Sequence, residues 1–223
     1  AMADAALELV TRSGRSVLLH VNGDNGVGKS RLVDEVIQRL RDQGDVSILE
    51  GACVPYGEAN VWWPIASALS DYLDLDSSVP VETMRSTALD RAKAMFPAVA
   101  DEDAERMIDV FIHLMGHPSP IDKLDPVSAR NTIHRAVAFV LEARSMRRAM
   151  VLSVDDVHWA DQGLLDLLEH LLSALVRRPF LLITSMRPGS DVVWPPRSER
   201  STVISMSLQP LTRADTDQLA TAL

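Results

Sequence analysis

Residues 23–30 read Gly-Asp-Asn-Gly-Val-Gly-Lys-Ser and fit G-x-x-x-x-G-K-[ST] at every position. Glycines at 23, 26 and 28 let the backbone turn tightly and aim several N–H groups at one chain of phosphates. Lys29 would set a point charge against the β- and γ-phosphates, and the Ser30 hydroxyl would ligate Mg²⁺. A helix that starts here adds the partial positive charge of its N-terminus. Gly23, Asp24, Asn25, Gly26, Val27, Gly28, Lys29, Ser30 and Arg31 are therefore the candidate nucleotide contacts.

A second set of chemically capable residues lies far down the chain. The apolar run 149–154 ends in Asp155-Asp156. Behind a phosphate loop, an acid in that place holds Mg²⁺, often through water, so Asp155 and Ser30 are the candidate metal ligands. Asp156 is the candidate to orient or deprotonate an attacking water; the competing reading makes the acid pair a helix cap or a solvated turn. The run 180–184 is also apolar, and Thr184 or Ser185 at its end could meet a γ-phosphate or the water. Arg187 follows, either as a reporter of nucleotide state and stabiliser of transition-state charge, or as a surface arginine before Pro188. Asp156, Ser185 and Arg187 form the candidate catalytic set. His158 is either a phosphate sensor or, with Trp159, packing between loop and sheet. Asp161 reads as the N-cap of a leucine-rich helix.

These residues need elements to hold them. The apolar run 16–22 before the loop suits a buried parallel strand. Residues 31–40 after it carry apolar side chains at 32, 33, 36, 37 and 40, a helical spacing. Further strands are expected at 46–53, 149–154, 180–184 and 203–206. Helices are expected at 4–13, 61–73, 80–95, 101–115, 126–148, 162–177 and 212–222. Strands alternating with helices predict a three-layer α/β/α fold around a parallel sheet, with the ligand at the carboxyl ends of the strands. The whole of 1–223 is read as one core domain with a helical insertion at about 61–148.

Composition limits the alternatives. The chain has 223 residues, 47% of them hydrophobic, with a net charge of −9. That charge opposes nucleic acid as a direct partner of this segment, because a nucleic-acid footprint is basic. Cys53 is the only cysteine, which excludes an intrachain disulfide and fits a reducing cytoplasm. No apolar stretch approaches 18 residues, so no membrane span is expected. The histidines show no metal-ligand spacing. The absence of N-K-x-D disfavours a guanine-nucleotide switch, and no acceptor site for a metabolic kinase is recognisable. A helical pattern is still running at Leu223, which reads as part of a larger protein.

The segment 154–161, Val-Asp-Asp-Val-His-Trp-Ala-Asp, is similar to the DDxHWAD signature of an AAA+-like branch of signal-transduction ATPases, the STAND class. Gly28-Lys-Ser-Arg-Leu32 resembles that family's GKSRL, and Pro55-Tyr-Gly-Glu58 before Trp62-Trp-Pro64 resembles its PYGE…WP. Thr184-Ser-Met-Arg-Pro188 resembles its TxRP, and Leu208-Gln-Pro-Leu-Thr212 its L-x-PL-[ST]. The resemblance covers about residues 5–223. It implies a phosphate-loop NTPase with strand order 5-1-4-3-2, ATP or ADP with Mg²⁺, and a switching role beside flanking cyclase or DNA-binding domains. A nucleotide-dependent oligomer is a further implied partner. It also implies that a Gly-Arg-x-x-Glu segment and a lid, both of which help hold the base in relatives, lie outside residues 1–223. Two function classes stay open: a slow ATPase switch, or a nucleotide-regulated interaction module without turnover.

Overall fold

In the computed structural model, β1 (Val17–Gly23) is buried along almost its whole length, as expected for a run of apolar residues with few polar breaks. The structure describes residues 8–10, 12, 15–42, 44, 46–55, 60–73, 75, 78–196 and 201–210. After β1 come α1 (Lys29–Asp42), β2 (Val46–Ala52), α2 (Trp63–Tyr72), α3 (Val81–Met95), α4 (Asp101–Leu114) and α5 (Pro126–Ser145). Then follow β3 (Ala149–Asp155), α6 (Gln162–Ala174), β4 (Phe180–Met186) and β5 (Thr202–Leu208). The five strands form one parallel sheet in the order β2-β3-β4-β1-β5, which is the expected order read from its other edge.

Alternation along the strands divides the core between two faces. Val17, Leu19 and Val21 of β1 join Val33, Val36, Ile37 and Leu40 of α1 on one face. Those four α1 residues recur at helical spacing, and burying each stabilises by roughly 1.5–3 kcal/mol. Leu18 faces the other way, into a core shared with α2 to α6. The six buried leucines of α6 fill much of that side. Gly51 fixes how closely α2 lies on β2. A Cβ there would fall 2.0 Å from the Pro64 carbonyl oxygen, so no other residue permits this approach.

Helix starts follow local chemistry. Asp161 accepts from the Leu164 N–H at 2.9 Å and caps α6, as its sequence position suggests. Asp125 caps α5 through the N–H groups of Val127 and Ser128, and Pro126 occupies the first turn, where a missing N–H costs little. Several boundaries move. α5 stops at Ser145 and α6 at Ala174, each three residues before the expected end, while β5 extends to Thr202–Leu208 and β4 continues to Met186. The shift in β4 puts Ser185 inside the sheet. Of the expected terminal helices, 212–222 lies outside the described residues, and of 4–13 only 8–10 and 12 are described, all helical. Among the described residues no helix is long and apolar enough to cross a membrane.

Candidate nucleotide site

β1 delivers the chain into the loop at Gly23. A Cβ on Gly23 would lie 2.8 Å from Cγ2 of Val27, so the loop closes tightly over its own start. Gly26 and Gly28 adopt φ of 78° and 95°, a backbone region that side-chain-bearing residues rarely enter. α1 then starts at Lys29 with no acidic residue in its first turn, which leaves the positive end of the helix uncompensated toward the loop. Lys29 is buried, 7% exposed, and its Nζ donates to the carbonyls of Gly23 and Asp24, both at 3.0 Å. The ammonium is thus held inside the loop, with two of its three protons spent on the loop's own carbonyls. Asp24, Asn25, Ser30 and Arg31 are exposed around it and Val27 is half-buried.

Two neighbouring strands close the site. Asp155 is the last residue of β3, and its Oδ2 accepts from Ser30 Oγ at 3.0 Å. Its Oδ1 accepts from the Ser185 hydroxyl on β4. The same Ser185 oxygen accepts the Asp156 N–H at 3.0 Å. One hydroxyl therefore ties the two acids together. Asp156 has φ of 55°, a left-handed conformation that is uncommon for a residue with a side chain. Burial pushes the Asp155 carboxyl above its ordinary range, the Ser30 hydrogen bond opposes this, and the Asp156 charge adds to it. A half-buried carboxylate beside a serine hydroxyl, at the mouth of a phosphate loop, is a donor set that suits a hard divalent cation.

His158 sits beyond the acids, with its side chain 7% exposed and Nδ1 3.6 Å from an Asp156 oxygen. Neither ring nitrogen has a hydrogen-bond partner among the described residues. Burial lowers its pKa most; Asp156 opposes, and the Arg187 and Lys29 cations add to the lowering, so the ring is neutral at pH 7. The charges of Arg187, Lys29, Asp155 and Asp156 all bear on the His158 ring. The Arg187 Nε is itself buried and has no partner among the described residues. A cavity of about 440 Å³ opens on the far side, lined in part by Cys53, Trp63, His158, Trp159 and Asp161. Burial and then the charges of Asp156, Asp155 and Asp161 push the Cys53 thiol up to about 12, so it is a neutral wall residue.

The structure brings together Lys29, Ser30, Asp155, Asp156 and Ser185 and separates one pair of alternatives. Ser185 faces the acids. Thr184 is fully buried and bonded instead to His20 and Trp194. Sequence reasoning missed His20 and Trp194; a lone histidine inside an otherwise apolar strand was the available signal for the first. Trp62 is half-buried against the core, and Trp63 is more exposed. His113 bonds Asp122 at 2.8 Å, and no metal-binding cluster occurs among the described residues. Tyr56 and Glu58 lie outside the described residues.

The family model for the AAA ATPase domain matches residues 2–183. The chain belongs to that family, whose members are nucleotide-binding ATPase domains of the phosphate-loop fold seen here. An uncharacterized protein of Rhizobium meliloti (strain 1021) is 29% identical over 213 residues, which is 95% of this chain and 19% of that protein. The chain thus spans about a fifth of the length of the curated relative it matches. A STAND protein with a tetratricopeptide repeat sensor from Pyrococcus horikoshii aligns over 98% of this chain and 24% of its own, at 12% identity and a TM-score of 0.40. A chain of the Drosophila ORC structure bound to AT-rich DNA and Cdc6 aligns over 100% of this chain and 66% of its own, at 12% identity and a TM-score of 0.35.

Proposed function

We propose that the chain is a Mg²⁺-dependent, ATP-hydrolysing switch domain of a larger signalling or transcription-regulatory protein. The observation that carries this reading is the convergence of Lys29, Ser30, Asp155, Asp156 and Ser185 from three adjacent parallel strands and one helix N-terminus. In this reading the N–H groups from Gly23 to Arg31 wrap the phosphates, and Lys29 exchanges its carbonyl partners for phosphate oxygens. Ser30 and Asp155 hold Mg²⁺, which would supply charge neutralisation at the β- and γ-phosphates. Asp156 orients an attacking water and takes its proton. Its left-handed backbone and its bond to Ser185 fix the direction of that carboxylate. Arg187 meets the γ-phosphate and so distinguishes ATP from ADP. His158, whose ring nitrogens have no hydrogen-bond partner among the described residues, stands 3.6 Å from Asp156 as a polar wall.

The switching role rests on the DDxHWAD-type segment and on the small share of its curated relative that the chain spans. Flanking domains, a cytoplasmic location and nucleotide-dependent assembly belong to the same proposal. Calorimetric titration of ATP with and without Mg²⁺ tests it: wild type binds, and Lys29→Ala loses at least about tenfold in affinity, roughly 1.4 kcal/mol. Unchanged affinity would remove the phosphate-loop assignment. Binding without phosphate release would leave the interaction-module reading in its place.

A further inference from the structure

β4 ends in two hydroxyl groups that serve different sides. Ser185 belongs to the acid pair. Thr184, wholly buried, has its Oγ1 3.0 Å from the indole Nε1 of Trp194 and 3.0 Å from Nδ1 of His20. An indole N–H can only donate, so Thr184 accepts from Trp194 and has one proton left to give to His20. The buried His20 ring has its pKa pushed down to about 4, so at neutral pH it is uncharged, and its Nε2–H tautomer offers Nδ1 as an acceptor. The result is a directed chain from indole to hydroxyl to imidazole, closed at each step.

This chain joins three segments. Trp194, 8% exposed, belongs to the excursion that leaves β4 at Arg187. Thr184 is on β4. His20 is on β1, three residues before the phosphate loop starts at Gly23. The excursion turns at Gly189, with φ of 80°, and Trp194 brings it back onto the strand it left. Arg187 stands at the root of this closed loop, and its buried Nε has no hydrogen-bond partner among the described residues. The strand on one side and, on the other, the Trp194 anchor with Val192 packed against the core restrain the segment.

We propose that Trp194, Thr184 and His20 are positioning residues for Arg187: their hydrogen-bonded chain clamps the 187–194 loop, presents the guanidinium to the γ-phosphate and ties that loop to the strand that carries the phosphate loop. The inference rests on the nucleotide reading above. None of the three touches nucleotide; they act on it through Arg187. A guanidinium displaced by about 1 Å loses most of its selective contact with a transferring phosphate, which is why an anchor one hydrogen bond strong matters.

Trp194→Phe keeps an aromatic ring, smaller than the indole, and removes the N–H. Thr184→Val keeps the shape and removes the hydroxyl, and Thr184→Ser restores it. The readouts are ADP affinity, affinity for a non-hydrolysable ATP analogue with Mg²⁺, phosphate release and melting temperature. In Trp194→Phe and Thr184→Val, ADP affinity stays within about twofold, while the preference for the ATP analogue and the turnover each fall about tenfold. Thr184→Ser matches wild type. The double variant is no worse than either single, as for two ends of one contact. In an Arg187→Ala background, Trp194→Phe changes nothing further. The proposal is overturned if both variants keep wild-type preference and turnover. It is also overturned if ADP and analogue affinities fall together with the melting temperature, or if Trp194→Phe still acts without Arg187. Lys29→Ala, measured alongside, isolates the underlying reading: should it bind ADP as wild type does, the nucleotide assignment fails whatever the clamp does.

Discussion

Ser185→Ala removes one oxygen and two hydrogen bonds at the point where the acids meet. The hydroxyl donates to Asp155 Oδ1 and accepts from the Asp156 N–H at 3.0 Å. A bond to an ionised carboxylate contributes about 1.5–3 kcal/mol, and a part-buried N–H left without an acceptor costs about 1–3 kcal/mol. Asp155 keeps its bond to Ser30, which limits the loss, so a total of about 3 kcal/mol is expected. At this chain length that corresponds to a melting temperature lower by about 6–12 °C. Lys29, Ser30 and the loop are untouched, so Mg²⁺·ATP affinity changes by less than about threefold, or about 0.7 kcal/mol. Turnover falls about a hundredfold, because the left-handed Asp156 loses the bond that fixes its direction. Differential scanning fluorimetry, calorimetry and a phosphate-release assay on one preparation give all three numbers. A melting shift under about 2 °C with wild-type turnover would refute the bridging role of Ser185.

Lys29→Ala loses at least about tenfold in ATP affinity by calorimetry, since no other cation occupies the inside of the loop among the described residues. Asp155→Asn weakens ATP binding only when Mg²⁺ is present, whereas Asp156→Asn keeps binding and loses about a hundredfold in phosphate release; equal defects in both assays would contradict that division. His20, with its pKa lowered from 6.5 to about 4 by burial, binds a proton more readily in the unfolded chain. Its stabilising contribution is full above pH 6.5 and is lost as pH falls toward 4, about 3 kcal/mol over that interval. Urea unfolding at pH 7.5, 6 and 5 should show His20→Gln with a shallower pH slope than wild type. His134, His158 and His170, whose pKa values burial also lowers, remain in both proteins and cancel in the difference.

The phosphate loop and the sheet were legible because their signals are local. Gly23 to Ser30 is contiguous, and the strands announce themselves as short apolar runs; their order in the sheet came from the family resemblance and is the one observed. Asp155 was legible from its place after such a run. The division between Thr184 and Ser185 was not, because it depends on where β4 stops. Apolar content fades at Thr184, yet β4 still pairs with β1 as far as Met186, opposite Asn22. That pairing turns alternate side chains to opposite sides and sends only one hydroxyl to the acids. Trp194 was invisible for a similar reason. It lies in a polar, proline-containing loop, and only the tertiary fold brings its indole to Thr184. The helices between β2 and β3 were found from periodicity, but how closely α2 approaches the sheet depends on Gly51 meeting Pro64, a contact no pattern encodes.

The missed residues share a physical cause that bears on function. Each charged or polar group at the strand ends is satisfied by a partner remote in sequence: Ser30 by Asp155, Asp156 by Ser185, Thr184 by His20 and Trp194. The exceptions are the Asn22 Oδ1, the His158 ring nitrogens and the Arg187 Nε, which are buried and unspent among the described residues. Buried polar groups without partners cost free energy, and their cost is tolerated where a ligand will supply the partner. Lys29 shows the complementary arrangement, with two protons parked on carbonyls that a phosphate can displace. Lys29, next to the Ser30 that bonds Asp155, and His158, 3.6 Å from Asp156, flank the Asp155–Ser185–Asp156 bridge. A ligand that draws on them must therefore act on β1, β3 and β4 together, and through β4 on the loop that Trp194 closes.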